Sequence, residues 1–306
     1  MNPTFADKVG TLDWGRLAPL RLRARAVAEG VYSGAHRSRR RGSGVEFGGH
    51  RSYVPGDDLR FLDRRATMRH GKLLVREFET ETDRGLRLII DASRSMAYRS
   101  KEAPGAKLAF AALVGAALAR VALSSADTVS LDFIGGERAQ PLPSMGGLEA
   151  FERLTEVLTT IEPSGDAQVT PALLDLTLDA VSRRARRGTA IVVLSDFLDL
   201  PEGSADRLVA LSAGGRIVVG VRVLDPVEES FPFEGPIVLR SSEGAALVET
   251  DGASARSGYL AALAAKMAGY REKLLGHGGR FVEVTTDDDP VGVVQSVLAA
   301  IGGETS

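Results

Sequence analysis

From Leu86 onward the chain alternates short apolar runs with longer segments of helical pattern, and this alternation constrains its fold more than any other feature. Runs such as Leu86–Ile90, Thr189–Leu194 and Arg216–Leu224 are largely apolar and rich in β-branched residues. Strands that are apolar on both faces belong to mainly parallel sheets with helices on both sides. The sequence therefore predicts an α/β fold whose open, doubly wound, mainly parallel sheet is of the Rossmann type.

The same patterns set the boundaries of the predicted elements. The predicted strands are Leu86–Ile90, Asp127–Phe133, Thr189–Leu194, Arg216–Leu224 and Arg280–Thr285, with Glu137–Leu142 as an edge hairpin strand. The predicted helices are Ala106–Ser124, Gly147–Ile161, Thr170–Arg183, Asp206–Ala213, Ser254–Leu275 and Pro290–Ile301. Turn signals between 225 and 251 surround two short strand candidates, Ile237–Leu239 and Ala246–Glu249, which predict a hairpin insertion. These elements assign residues 85–306 to one α/β domain.

Residues 1–84 read as a small, β-rich N-terminal extension. Val45 and Phe47 alternate with polar residues, and Leu73–Phe78 does so in part, which predicts short strands. Nearer the start, apolar residues between Trp14 and Val27 are spaced as in an amphipathic helix with arginines on its polar face. The basic segment 36–44 that follows predicts an exposed loop, which could contact nucleic acid or acidic partners. A solvated loop is the favoured interpretation, because no aromatic residues that could stack on bases are interleaved with the arginines.

Three oxygen-bearing side chains follow the first strand of the α/β domain at every second position: Asp91, Ser93 and Ser95. In an extended or looping backbone this spacing can bring the three oxygens to one point, and hard oxygen donors suit Mg²⁺ or Mn²⁺. The alternative is an ordinary helix N-cap, for which Asp and Ser are common residues. A second carboxylate, Asp196, follows the strand Thr189–Leu194, so it belongs to the same edge of a parallel sheet, where ligands bind in such folds.

Composition narrows the functional classes. The 306 residues include no cysteine, which excludes disulfides, thiolate nucleophiles and cysteine zinc sites. A formal net charge of −2 argues against general nucleic-acid binding by the whole surface. The start of the chain has no basic segment followed by an apolar core, and the longest apolar run, Leu108–Ala119, is about 12 residues against the roughly 20 that span a bilayer. We therefore expect a cytoplasmic protein without membrane insertion.

The order of the polar loops resembles the von Willebrand factor A-type domain with its metal-ion-dependent adhesion site. That site combines an Asp-x-Ser-x-Ser loop, a threonine from a second loop and an aspartate from a third. Asp91, Ser93 and Ser95 match the first element, and Asp196 matches the third. For the second, Thr170 fits by residue type, whereas counting back from the following helix puts Gln168 in that position. The resemblance thus implies Asp91, Ser93, Ser95, Thr170 and Asp196 as metal-site residues.

The N-terminal part narrows the resemblance to one bacterial family. The segments GVEFGGHRSYVPGDD and FLDRRATMRHGKLLVREFETE, followed by the Asp-x-Ser-x-Ser strand, look like the family known as domain of unknown function 58. The pattern covers about residues 45–96, and SDFLD at 195–199 and the later segment 225–236 resemble it too. One departure is Arg64, where the family usually has tryptophan.

The resemblance also implies a role. Members of this family are often encoded beside MoxR-type AAA+ ATPases, and von Willebrand A-type partners of such ATPases are thought to act as adaptors or co-chaperones. In the adhesion site the serine and threonine oxygens are expected to ligate Mg²⁺ directly, the aspartates are expected to act largely through water, and a partner's carboxylate can complete the coordination. The expected partner is therefore a protein, either a MoxR-type ATPase or its client.

Two other functions compete with this binding module. A Mg²⁺-dependent phosphohydrolase could use Asp91 as a nucleophile. Against it, Ser93 occupies the place of the second carboxylate that the usual aspartyl-phosphate arrangement requires, and the sequence contains neither a P-loop lysine motif nor a GxSxG elbow. Nucleic-acid binding through Arg37–Arg41 is the weaker alternative. We expect a protein that is not an enzyme.

Overall fold

The computed structural model describes residues 12–17, 19–35, 46–53, 63–79, 85–136, 139–165, 171–240 and 247–303. The chain divides into two compact units. The larger unit combines Met1–Gly34 with Asp83–Ser306, and the smaller unit is Ala35–Thr82.

The larger unit contains most of the helices and strands. Its strands are β3 (Gly85–Ala92), β4 (Thr128–Gly135), β5 (Leu142–Met145), β6 (Ala190–Ser195), β7 (Ile217–Leu224), β8 (Pro236–Arg240), β9 (Leu247–Asp251) and β10 (Arg280–Thr285). Its helices are α1 (Leu20–Ala35), α3 (Lys107–Ser124), α4 (Gly147–Thr160), α5 (Pro171–Arg184), α6 (Ser204–Ala210), α7 (Pro226–Ser230), α8 (Gly252–Gly276) and α9 (Pro290–Gly302). The smaller unit contributes β1 (Glu46–Ser52), α2 (Arg64–His70) and β2 (Leu74–Glu79).

Six strands form the central sheet in the order β10-β7-β6-β3-β4-β5. The first five are mutually parallel, and β5 pairs antiparallel with β4 at the edge. Helices cover both faces, because one buried cluster includes residues of α1, α3, α4 and α9 and the other includes residues of α5, α6 and α8. This arrangement confirms the predicted α/β class with an open, doubly wound, mainly parallel sheet.

Side chains alternate between the two faces of the sheet along each strand, which explains why the strand segments are nearly continuous apolar runs in the sequence. Leu88 and Ile90 of β3 belong to the cluster on one face, whereas Ile89 belongs to the cluster on the other. Val192 and Val193 of β6 divide in the same way. Successive side chains of a strand point to opposite faces, so a strand buried on both faces is apolar at most of its positions.

Helix α3 is the central helix of one face. Its residues Lys107–Ala119 are all buried. The helix extends beyond the predicted apolar run and is long and apolar enough to cross a membrane by length and composition, but 78% of that stretch is buried inside the protein. Such burial is typical of a core helix, which is the position that α3 takes against β3.

The division of the chain differs from the predicted boundary at residue 84. Helix α1 belongs to the larger unit, because Leu20, Ala24, Val27 and Val31 join the same buried cluster as α3. These residues follow the three- and four-residue spacing of one helical face, whereas Leu22, which is also apolar, lies off that face and is 65% exposed. The stretch 1–84 is therefore not one extension.

The smaller unit contains the two strands predicted there. Strands β1 and β2 pair antiparallel with an irregularity between Phe47 and Gly49. Helix α2 was not predicted from the sequence. It begins after Asp63, whose side chain accepts hydrogen bonds from the backbone N–H groups of Arg65 and Ala66 at 3.0 Å. The basic segment 36–44 lies outside the described residues.

Between β7 and α8 the chain forms the predicted insertion. Strands β8 and β9 pair antiparallel as a two-stranded hairpin. The insertion begins with α7, a helix that the sequence reading missed although Asp225 and Glu228 form a capping box around it. The edge strand also differs, since it spans Leu142–Met145 rather than Glu137–Leu142.

Candidate metal centre

The candidate site lies where three neighbouring parallel strands end. Asp91 is the penultimate residue of β3, Ser195 is the last residue of β6 with Asp196 directly after it, and Asp225 follows β7. The chain leaves β3 for β4 on one side and later returns to β6 on the other side, which makes the β3–β6 boundary a topological switch point. The carboxyl ends of strands at such a point are where open α/β sheets bind ligands.

Asp91 is buried, and both of its carboxylate oxygens have partners. Oδ1 accepts a hydrogen bond from the backbone N–H of Ser93 at 2.9 Å. Oδ2 accepts one from the Ser195 hydroxyl at 2.6 Å. The side chain is therefore held in a single orientation by its own loop and by the neighbouring strand.

The two predicted serines lie beside it with their hydroxyls paired. Ser93 and Ser95 are both buried, and their Oγ atoms are 3.2 Å apart. Ser95 also forms a side-chain hydrogen bond with Asp196. The structure thus brings four predicted residues together in one buried cluster: Asp91, Ser93, Ser95 and Asp196.

A lysine lies on the other side of Asp196. The Nζ atom of Lys107 donates to Asp196 Oδ2 and to Glu228 Oε1, in both cases at 2.8 Å. The second Asp196 oxygen, Oδ1, accepts the backbone N–H of Leu198 at 3.0 Å. The side chains of Lys107 and Asp196 are each 1% exposed, so this is a buried ion pair with a second carboxylate attached.

Burial and charge move the pKa values of the two aspartates in opposite directions. Burial, together with the nearby charge of Asp196, raises the pKa of Asp91 to about 6. Burial opposes ionisation of Asp196 too, but the Lys107 ammonium and the hydrogen bonds to the carboxylate together outweigh it and hold the pKa of Asp196 below its usual value. Two buried carboxylates that repel each other favour binding of a cation between them.

The second predicted loop approaches the site as far as it is described. Ser164 donates its N–H to the Ala92 carbonyl at 2.9 Å, and Arg94 donates its N–H to the Gly165 carbonyl at 3.2 Å. Gly135 lies between the two loops with a φ of 70°, and a Cβ there would be 3.0 Å from the Ser93 nitrogen. Thr170 and Gln168, the alternatives for the second-loop ligand, lie outside the described residues.

Backbone strain marks the third loop. Phe197, directly after Asp196, has a φ of 57°, which is uncommon for a bulky residue. Its N–H donates to Ser195 Oγ at 3.0 Å, and its buried ring packs edge-on against Tyr270 and Phe281. Strained conformations of this kind cluster at functional sites, where the surrounding packing maintains them.

The donor set fits a hard divalent cation. Two hydroxyl oxygens at 3.2 Å and two buried carboxylates supply oxygen ligands of the type that Mg²⁺ and Mn²⁺ prefer. Within the described parts of the chain, no group of three or more His, Cys, Asp or Glu side chains could hold a metal. A metal at this edge therefore depends on the serine hydroxyls, and Asp196 has one oxygen already bonded to Lys107.

Sequence reasoning missed three residues of the cluster. Ser195 was visible only as part of the Ser-Asp pair at the strand end. Lys107 read as the polar end of an apolar helix, and nothing local indicates that its ammonium is buried. Glu228 had a usable signal, because Asp225-Pro-Val-Glu228 has the spacing of a capping box.

Comparisons with known proteins found similar sequences and similar folds. Uncharacterized protein Rv1480 of Mycobacterium tuberculosis is 28% identical over 274 residues, which are 89% of this chain and 84% of that protein. Among solved structures, the conserved hypothetical protein BatB from Bacteroides thetaiotaomicron is similar at 15% identity and a TM-score of 0.46, covering 72% of this chain and 99% of that one. A von Willebrand factor type A structure from Catenulispora acidiphila is similar at 13% identity and a TM-score of 0.37, covering 75% and 44%.

The family assignment rests on a broader match. The sequence model described as "Protein of unknown function DUF58" matches residues 49–269, which is more than half of the chain. The match includes strand β3 with Asp91, helix α3 and the β6 end with Asp196. The chain belongs to the DUF58 family.

Proposed function

We propose that this protein is a non-enzymatic interaction module that binds a partner protein through a divalent metal at the Asp91–Asp196 edge of the sheet. The observation that carries the proposal is the buried cluster of two aspartates and two paired serine hydroxyls at the ends of adjacent strands. If the loop after β3 served only as a helix N-cap, it would not need a second aspartate, Asp196, which follows a strand about 100 residues later in the sequence.

In this proposal the serines and the aspartates have different tasks. Ser93 and Ser95 offer hydroxyl oxygens as direct ligands, and Thr170 is the proposed third hydroxyl. Asp91 orients the first loop through the Ser93 N–H. A bound Mg²⁺ supplies a coordination position for an acidic side chain of the partner, because a metal with few charged protein ligands still attracts an external carboxylate.

The contacts of Asp91 favour binding over phosphoryl transfer. A nucleophilic carboxylate needs an oxygen that can approach the substrate. Oδ1 and Oδ2 of Asp91 each accept a hydrogen bond, and the side chain is 1% exposed. The phosphohydrolase alternative would require this network to open.

The proposed partner is a MoxR-type AAA+ ATPase or its client in the cytoplasm. Support for this partner comes from the family resemblance. The test is co-purification of an ATPase that is encoded beside this chain, with Mg²⁺ or with EDTA, using wild type and Asp91→Ala. Retention of the ATPase that requires both Mg²⁺ and Asp91 supports the proposal. Equal retention with EDTA and with Asp91→Ala refutes it.

Metal binding itself is tested by isothermal titration calorimetry with Mg²⁺ and Mn²⁺. We expect saturable binding by the wild type and none by the Ser93→Ala/Ser95→Ala variant. The matched control is Ser124→Ala/Ser125→Ala, which also removes two hydroxyls, in this case from the exposed end of α3 where they donate to backbone carbonyls. Equal binding by all three proteins would refute the site, and turnover of a phosphate ester that Asp91→Ala abolishes would refute the non-enzymatic assignment.

A further inference from the structure

The buried ammonium of Lys107 is the feature of the site that the adhesion motif does not account for. Lysine is almost never fully buried unless it is paired. Here it begins an apolar helix in which every residue from 107 to 119 is buried, and its side chain is 1% exposed. The charge is therefore held in the interior by specific partners.

Those partners belong to two different elements. Asp196 follows β6, and Glu228 lies in α7 at the start of the hairpin insertion. The other oxygen of Glu228, Oε2, accepts the N–H of Asp225 at 3.0 Å and so completes the cap of α7. The Lys107 ammonium thus connects the candidate metal cluster to α7.

The charges in this region do not balance. Asp91, Asp196, Asp225 and Glu228 bring four carboxylates, and Lys107 brings the one cation hydrogen-bonded to Asp196 in the described residues. Without Lys107, the buried Asp196 and the half-buried Glu228 would have little compensation for their charges, which is strongly destabilising. With Lys107 present, an arriving divalent cation meets a like charge and an aspartate whose two oxygens already accept hydrogen bonds.

We propose that Lys107 is a resident cation of this site, a positioning residue that keeps the site folded without metal and lowers its affinity for a divalent ion. This inference rests on the proposed metal site and adds what regulates it. A site with built-in charge compensation binds metal weakly until a partner's carboxylate adds negative charge. Metal and partner then bind cooperatively, since each strengthens the binding of the other.

The test compares Mg²⁺ affinity by calorimetry, and melting temperature with Mg²⁺ or EDTA, in the wild type, Lys107→Met and Glu228→Gln. For Lys107→Met we expect a lower melting temperature in EDTA, Mg²⁺ binding at least about tenfold tighter, and a larger rise in melting temperature with Mg²⁺ than in the wild type. Tenfold corresponds to about 1.4 kcal/mol. The matched control is Lys273→Met, which breaks an exposed pair with Asp206 and should leave Mg²⁺ affinity unchanged.

Glu228→Gln keeps the protein testable if Lys107→Met does not fold. It removes one negative charge and leaves Asp196 as the one carboxylate paired with Lys107. The affinity for Mg²⁺ should therefore be at least about threefold lower than that of the wild type. The two variants are thus expected to shift affinity in opposite directions. A shift of Glu228→Gln in the same direction as Lys107→Met, or no shift in either, would overturn the role of Lys107.

The outcomes separate this inference from the proposed function. Equal Mg²⁺ binding by the wild type and Lys107→Met would overturn the role of Lys107 while the metal site stands. If Lys107→Met binds Mg²⁺ and the wild type does not, the role of Lys107 as a resident cation would be supported and metal binding by the natural protein would be overturned. Absence of binding in the wild type and in both variants would overturn both proposals.

Discussion

Replacing Ser195 by alanine should lower the free energy of unfolding by about 3–5 kcal/mol in metal-free protein near pH 8. The Ser195 hydroxyl donates to Asp91 Oδ2 at 2.6 Å and accepts the N–H of Phe197 at 3.0 Å, and the residue is completely buried. A hydrogen bond to a charged group is worth about 1.5–3 kcal/mol, and a buried N–H left without a partner costs about 1–3 kcal/mol. Alanine removes both contacts at once, and a water that enters the space would bring the loss toward the lower figure.

The assay is urea unfolding followed by far-UV circular dichroism in the presence of EDTA. The control is Ser130→Ala on β4, a buried strand serine whose hydroxyl has no hydrogen-bond partner within the described residues. Removing an unsatisfied hydroxyl should change stability by less than about 0.5 kcal/mol or raise it. A loss below about 1 kcal/mol for Ser195→Ala, or one equal to that of Ser130→Ala, would show that this hydrogen-bond network does not hold the site together.

Three further predictions concern other parts of the site. The pKa of Asp91 lies near 6 in the folded protein, so the folded state binds the proton more tightly than the unfolded state. The free energy of unfolding without metal should therefore fall as the pH rises from about 4 to about 6, by up to about 3 kcal/mol relative to Asp91→Asn. Urea midpoints across that range measure the change. Gly135→Ala should weaken Mg²⁺ binding in calorimetry, because its Cβ would lie 3.0 Å from the Ser93 nitrogen. The control is Gly147→Ala, at a glycine with a φ of 79° and open space around it. It should lower only the free energy of unfolding, by the conformational penalty of about 1–2 kcal/mol. Asp225→Ala should lower stability by about 1–2 kcal/mol in thermal unfolding through loss of the α7 cap, and an unchanged melting temperature would contradict this.

Local pattern was sufficient for the sheet and for the first loop of the site. Every position of Leu88–Ile90 is apolar because the strand is buried on both faces, so the sequence alone indicates a central parallel strand. Asp91, Ser93 and Ser95 lie within five residues, and their clustering follows from the backbone of one loop. The placement of Asp196 followed from the rule that parallel strands end at a common edge.

The boundary of the α/β unit could not be read in this way. Helix α1 is amphipathic, but its sequence does not say which surface its apolar face will cover. In the structure Leu20 and Val27 join the buried cluster around α3, so the first helix belongs to the same unit as the sheet. An amphipathic pattern specifies that a face must be buried, and packing decides against what.

The sequence by itself determined the α/β class, which strands are buried on both faces, the family and the oxygen-rich loop at Asp91, because these depend on neighbours in the chain. Only the tertiary structure decided which groups hold that loop and its partner. Ser195 meets Asp91 across 104 positions, and Lys107 meets Asp196 across 89 and Glu228 across 121. The energy of a buried charge depends on the groups that surround it in space, so a lysine at the start of an apolar helix joins the candidate site only when the fold has assembled.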